Sequence, residues 1–294
     1  MQTIDLALVS ELDPSVLPIS ELLGVSAALQ KQIRRDVAPR WNVSASVDAF
    51  VSLDQLPPGH WPIYICEDIG LDGTEGIHKL PDNCQPYALV QFKDYWSLTA
   101  SHEAIEMLID PQGNRQLQGP SPRSGEGEVM FLVEVCDPVY NFDCGYLIDD
   151  YPVSDFCTPQ FYDSINSGVY DITGHIQTPL NVAAGGYISY RNPSNGQWCR
   201  WSKFTDDPNG EYLPLGTDPD LSALDIRTWI DSCTPQRLQS LVPGEAWRKK
   251  LKTRKEILER KTVGATRLRE QIQKLTSRKK ENKESNQERG EKLT

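Results

Sequence analysis

"TASHEAIEMLIDPQGN", residues 99–114, is the stretch on which the fold turns. Ala100, Ile105, Leu108 and Ile109, with Leu98 just before them, recur at helical spacing, yet His102, Glu103 and Glu106 occupy the same turns. Residues four apart on a helix differ by about 40° around the axis and about 6 Å along it. His102 and Glu106 therefore project from one face and can share an ion, with Glu103 beside that line. Pro111 disfavours helical backbone at Asp110, so a helix expected over residues 95–109 ends there and leaves Asp110 to turn.

Upstream, "IDLALVSEL" reads as a strand and "SELLGVSAALQKQIRRDVAP" as a helix stopping before Pro39. "NVSASVDAFVS", "WPIYICED" and "PYALVQF" read as three further strands. The order is thus strand, helix, three strands, helix. Downstream, "VMFLVEVCD", "GYLIDD", "YPVSDF" and "GGYISYRNPSNGQWCRW" read as strands and hairpins, the last turning at Pro-Ser-Asn-Gly. Residues 205–245, rich in Pro, Asp and Gly, hold one short helix over 222–232 and are expected to wrap back over the core.

Composition sets the limits. The 294 residues are 38% hydrophobic, enough for one substantial core with an appendage, and no apolar run reaches the ~20 residues of a membrane helix. The N-terminal residues show no basic leader ahead of an apolar stretch, so a cytoplasmic location is expected by default. Seven cysteines without a C-x-x-C pair point to buried free thiols rather than a disulfide framework or a zinc knuckle. The net charge of −11 conceals two parts. Residues 248–294 carry 17 Lys+Arg against 7 Asp+Glu, whereas residues 1–247 carry 13 against 34. A boundary at 247/248 follows: a body divided into a sheet with its key helix (1–140) and a β- and loop-rich remainder (141–247), then a charged, partly helical or disordered basic tail. That tail suits a solvated extension, or contact with an anionic or protein partner.

The H-E-x-x-E spacing resembles the H-E-x-x-H zinc helix, in which two His bind the metal and the Glu handles a water proton, with Glu106 in place of the second His. "SHEAIEMLIDP" followed by "VEVCDP" further resembles a family of zincin-like metallopeptidases with the signature S-H-E-x-x-E-x-x-x-D-P, over roughly residues 1–200. The resemblance implies an α+β, zincin-like fold, a mixed sheet packed against two helices. It also implies a metal-dependent hydrolase acting on a peptide or protein substrate, with His102 and Glu106 as metal ligands and Glu103 as the general base. For the third ligand Asp110, the Asp of the family's D-P, ranks first, then Asp137, then Glu134. One neutral His and two carboxylates carry about −2, which cancels a divalent ion's charge and makes it a weaker Lewis acid. Zinc is the expected ion, and oxygen-rich ligation leaves manganese or another harder ion open. The alternative is a non-catalytic binding or assembly protein on the same body, with a structural ion or none, tethered by its basic tail.

Other residues read more plainly. His78 in "EGIHKLPDN" is either a surface loop residue or borders the cleft and contacts substrate. His60 and His175 read as turn or loop residues. Ser154-Asp155 lacks the glycines of a nucleophile elbow, and no phosphate loop occurs.

Overall fold

The first strand, β1 (Ile4–Ser10), is a near-continuous apolar run, and its Leu6, Ala7, Leu8 and Val9 are buried completely on both faces. Such burial requires a central position between neighbours and layers. In the computed structural model β1 lies between β2 (Ala45–Phe50) and β3 (Trp61–Cys66), parallel to both. β5 (Tyr87–Gln91) continues the sheet parallel to β3, and β4 (Gly76–Lys79) closes it as an antiparallel edge, giving the order β2-β1-β3-β5-β4. The structure describes residues 3–71, 73–80, 85–165, 167–204, 209–217, 226–233, 249 and 252. The chain divides into residues 1–242 and 243–294, and the basic tail, Lys249 and Lys252 apart, lies outside the described residues.

In-register partners put Leu6, Leu8, Val47, Ile63, Ile65, Ala88 and Val90 on one face of this sheet. That face receives α1 (Ile19–Gln32) through Leu22, Val25, Ala28 and Leu29, and α3 (Trp96–Ile109) through Ala100, Ala104 and Met107. The opposite side of α3 presents Ile105 and Ile109 to a second core. There an antiparallel sheet is built from β6 (Gln116–Pro120), β7 (Glu128–Leu132), β10 (Tyr187–Arg191), β11 (Gln197–Ser202) and β12 (Glu211–Thr217), in the order β12-β11-β10-β7-β6. α3 is therefore enclosed between two cores, and all fourteen of its residues are buried. A hairpin of β8 (Tyr146–Ile148) and β9 (Tyr151–Val153) packs beside it. A short helix, α4 (Ile226–Cys233), docks through Ile226 and Ile230 onto Leu132, Trp198 and Leu215.

The architecture is α+β with a mixed sheet against two helices, as expected, and the β-rich second half forms a sheet of its own. Two expectations need correction. The first long helix does not stop before Pro39. It widens into a π-helical turn (Ile33–Val37), in which Ala38 N–H donates to Ile33 O, and resumes as α2 (Ala38–Trp41). Pro39 then sits in the first turn of α2, directly after the widened turn. Asn42, at φ 54°, ends the helix instead. The second correction concerns "GIHK", which is the edge strand β4 and not a surface loop. His78 pairs with Ala88 and so shares the helix-facing side of the sheet.

Among the described residues no helix is long and apolar enough to cross a membrane. The six described cysteines are free.

Candidate metal centre

The rotation of α3 is fixed from the side opposite its charged residues. Ser101 Oγ donates to Gln32 Oε1 (2.7 Å) and accepts from Ser154 N (3.0 Å), while Gln32 Nε2 donates to Ser154 O (2.8 Å). Ser97 Oγ donates to Pro152 O (2.8 Å). These bonds tie α3 to α1 and β9, so His102, Glu103 and Glu106 point into the space between α3, β4, the segment after β7 and α4.

His102 Nε2 lies 3.2 Å from Glu106 Oε2 and 3.4 Å from Asp137 Oδ1, and its ring meets Tyr140 edge-on at 5.5 Å. Asp137 enters on a 3₁₀ turn (Asp137–Val139), and Glu106 Oε1 accepts from Cys136 N (3.0 Å). Burial disfavours a charged His102, but Glu106, Asp137 and Glu103 outweigh it and raise its pKa well above the usual value. Burial likewise opposes ionisation of Glu106, yet His102 and Arg227 hold its carboxyl down at about 2. Asp137 moves the other way: burial, reinforced by the charge of Glu106, pushes it up to about 7.

Glu103 has a different partner. His78 Nδ1 lies 3.2 Å from its Oε2, within hydrogen-bonding distance. The strand leaves room for this because Gly76 has no side chain. A Cβ there would come within 2.6 Å of Thr99 Cγ2 and 2.7 Å of Glu103 Oε1. Glu103, Gly76, Thr99, Tyr140 and Asp231 line a cleft that opens onto His102.

The residue that sequence reasoning missed is Arg227. It projects from α4, is 6% exposed, and reaches Glu106 Oε2 (3.3 Å), Glu134 Oε2 in a close ion pair, and Asp137 Oδ2 (3.9 Å). Asp231, one turn on, holds its Nε at 3.1 Å and meets Arg200 Nη2 at 3.6 Å. Burial works against a charged Arg227, but Asp231, Glu106 and Glu103 raise its pKa above the usual arginine value. The only trace in the sequence is that Arg227 and Arg237 are the basic residues of the acidic stretch 205–245.

Asp110 stands apart. It leaves the helix as Pro111 requires (φ −131°, ψ 71°), but its Oδ2 accepts from Arg115 N (2.7 Å) and orders the turn into β6. Among the described residues, ligand atoms fall within 4.8 Å of one another in the sets His102/Glu106/Cys136, His78/Glu103/Glu106 and Glu106/Glu134/Asp137; Asp110 is in none of them, and His102 and Asp137 each join Glu106 in a different set. Burial and then the Glu106 charge push the Cys136 thiol pKa well up. No family model, curated protein or solved structure matches the chain.

Two pairs of donors are spaced as ligands of one divalent ion would be. Two ligand atoms about 2.0–2.1 Å from a tetrahedral ion lie roughly 3.3 Å apart, which is the separation of His102 Nε2 from Glu106 and Asp137. Asp137 Oδ1 and Glu134 Oε1 are buried without a hydrogen-bond partner among the described residues, as are His102 Nδ1 and His78 Nε2. A fourth set, Asp155, Asp171 and His175, also lies within 4.8 Å. Its carboxylates are taken up by the backbone N–H groups of Phe156, Ile172, His175 and Ile176 and by the Thr173 hydroxyl. Ser154 Oγ donates to Asp155 O.

Proposed function

We propose that the chain is a zincin-like, metal-dependent hydrolase, acting on peptide bonds, whose ion is held by His102, Glu106 and Asp137. The observation that carries this reading is that one imidazole nitrogen, His102 Nε2, stands at ligand-to-ligand distance from a carboxylate oxygen of Glu106 and, separately, from one of Asp137, with a further carboxylate, Glu103, beside them at the cleft. Asp137 takes the third position ahead of Asp110, whose carboxylate is already engaged by Arg115.

A divalent ion bound there supplies Lewis acidity to a carbonyl group and to water. Glu103 then serves as the general base, taking a proton from the attacking water and returning it to the leaving amine. His78 holds Glu103 in one orientation through Nδ1. Burial, with Glu75 and Asp137, pushes the Tyr140 phenol above its usual range, so it lines the cleft as a neutral hydroxyl. The carboxylate-rich ligand set admits manganese as well as zinc.

One observation favours a second reading. Arg227 already neutralises Glu106 and Glu134, as expected of a non-catalytic binding protein that has kept the body and replaced the ion.

Purified protein and a Glu103→Gln variant, each reconstituted with zinc or manganese and analysed for bound metal, separate the two. The hydrolase reading expects one ion per chain in both and cleavage of an unstructured protein by the wild type alone. No bound ion in either would overturn it.

A further inference from the structure

The ion site proposed above, on which this inference rests, is ringed by carboxylates that already hold a cation. Arg227 Nη1 contacts Glu106 Oε2, Glu134 Oε2 and Asp137 Oδ2, and the same Glu106 oxygen is the one 3.2 Å from His102 Nε2. An ion ligated by that oxygen at about 2.0–2.2 Å would stand within about 5.5 Å of Nη1, in a setting with little water to screen two like charges. The guanidinium borders the cleft, and leaving the carboxylates means breaking their ion pairs. Its base packs beside Gly113, and its Nε is held by Asp231 on the cleft side.

We propose that Arg227 is an internal competitor for the divalent ion: its guanidinium occupies the Glu106–Glu134–Asp137 cage in the metal-free protein and must withdraw before the ion binds, so the chain carries its own autoinhibitory cation. Glu134 is the residue that distinguishes competition from simple repulsion. It pairs with Arg227 and is not among the proposed ligands. If Arg227 merely repels the ion at a distance, neutralising Glu134 removes a helpful negative charge and weakens ion binding. If Arg227 competes, neutralising Glu134 removes the guanidinium's closest hold and strengthens it.

The test is an equilibrium titration of the chelated full-length wild type, Arg227→Met and Glu134→Gln with zinc and with manganese, the fold of each checked by near-ultraviolet circular dichroism. Competition expects at least tenfold tighter binding by Arg227→Met and a measurable tightening by Glu134→Gln. Should Arg227→Met fail to fold, the direction of the Glu134→Gln change decides alone. Stoichiometric binding by the wild type with unchanged affinity in Arg227→Met, or weaker binding in Glu134→Gln, overturns the competition and leaves the ion site standing. Absence of binding in all three proteins overturns the ion site and the competition together.

Discussion

Glu103 owes its position to two neighbours on β4, and the two act differently. His78 supplies a hydrogen bond, whereas Gly76 supplies space. Gly76→Ala places a methyl group against Thr99 and Glu103 and drives Glu103 off His78. Overpacking of this kind costs about 1–3 kcal/mol, so urea unfolding should show that loss with an unchanged m-value. The same variant should retain the ion, whose ligands it does not touch, while losing hydrolysis. A stability equal to wild type would mean that the strand edge yields and the space is not needed. At this scale the sequence was legible where the information was local. His102 and Glu106 meet because they are four apart on one helix, and Asp110 leaves the helix because a proline follows. His78, Asp137 and Arg227 arrive 24 or more positions from the nearest of these partners, through strand register and helix docking that no spacing encodes. His78 illustrates the difference: its burial follows at once from its pairing with Ala88, and that pairing is not written in "GIHK".

Among the elements, α3 shows why an amphipathic reading falls short. A helix enclosed by two cores has no solvent face, so its polar groups need partners on other elements. Ser101 finds Gln32 and Ser154, and Gln32 is itself completely buried. Gln32→Ala strips three elements of a shared partner, leaving Ser154 O and Ser101 Oγ short of hydrogen bonds. Buried groups so deprived cost about 1–3 kcal/mol each, so a loss of about 2–4 kcal/mol in chemical unfolding is expected. Because the same bonds set the rotation of α3, ion affinity should fall as well, although Gln32 lies on the far side of the helix from the ligands. A destabilised variant with wild-type ion affinity would show that the apolar packing of Ala100, Ala104 and Met107 fixes the helix unaided. Strands β1, β2, β3 and β5 were legible because each is a bounded apolar or alternating run. β4, β6 and β12 were not: "GIHK" and "QLQGP" are short and weakly apolar, and "EYLPLGT" contains a proline and a glycine that read as loop. Their pairing partners define them.

Across the whole molecule, the buried ionisable groups impose a pH dependence with a definite sign. Asp155 is pushed up to about 8 from an ordinary value of 3.8 by burial, opposed by the Thr173 hydroxyl and reinforced by its neighbour Asp171. Asp137 is pushed up to about 7, and His102 lies well above 6.5. In all three the folded state binds protons more tightly than the unfolded chain. Their contribution to stability is therefore complete below the unfolded pKa and is lost as pH rises through the folded value. Glu106 works in the opposite direction. Held at about 2 against an ordinary 4.5, it contributes above pH 4.5 and that contribution is lost as pH falls toward 2. The two trends meet near pH 4. Chelated protein should accordingly be most stable around that pH, with Tm falling steadily between pH 5 and pH 8. Asp155→Asn keeps an uncharged group able to donate to Asp171, and so should remove a large part of that fall while leaving Tm at pH 4 close to wild type. Calorimetry at unit pH steps on both proteins measures it. A wild-type Tm that is flat or rises from pH 5 to pH 8 would mean that Asp155 and Asp137 are ionised in the folded protein, and that the bonds from Ile172, Phe156 and Thr173 to Asp155 outweigh its burial.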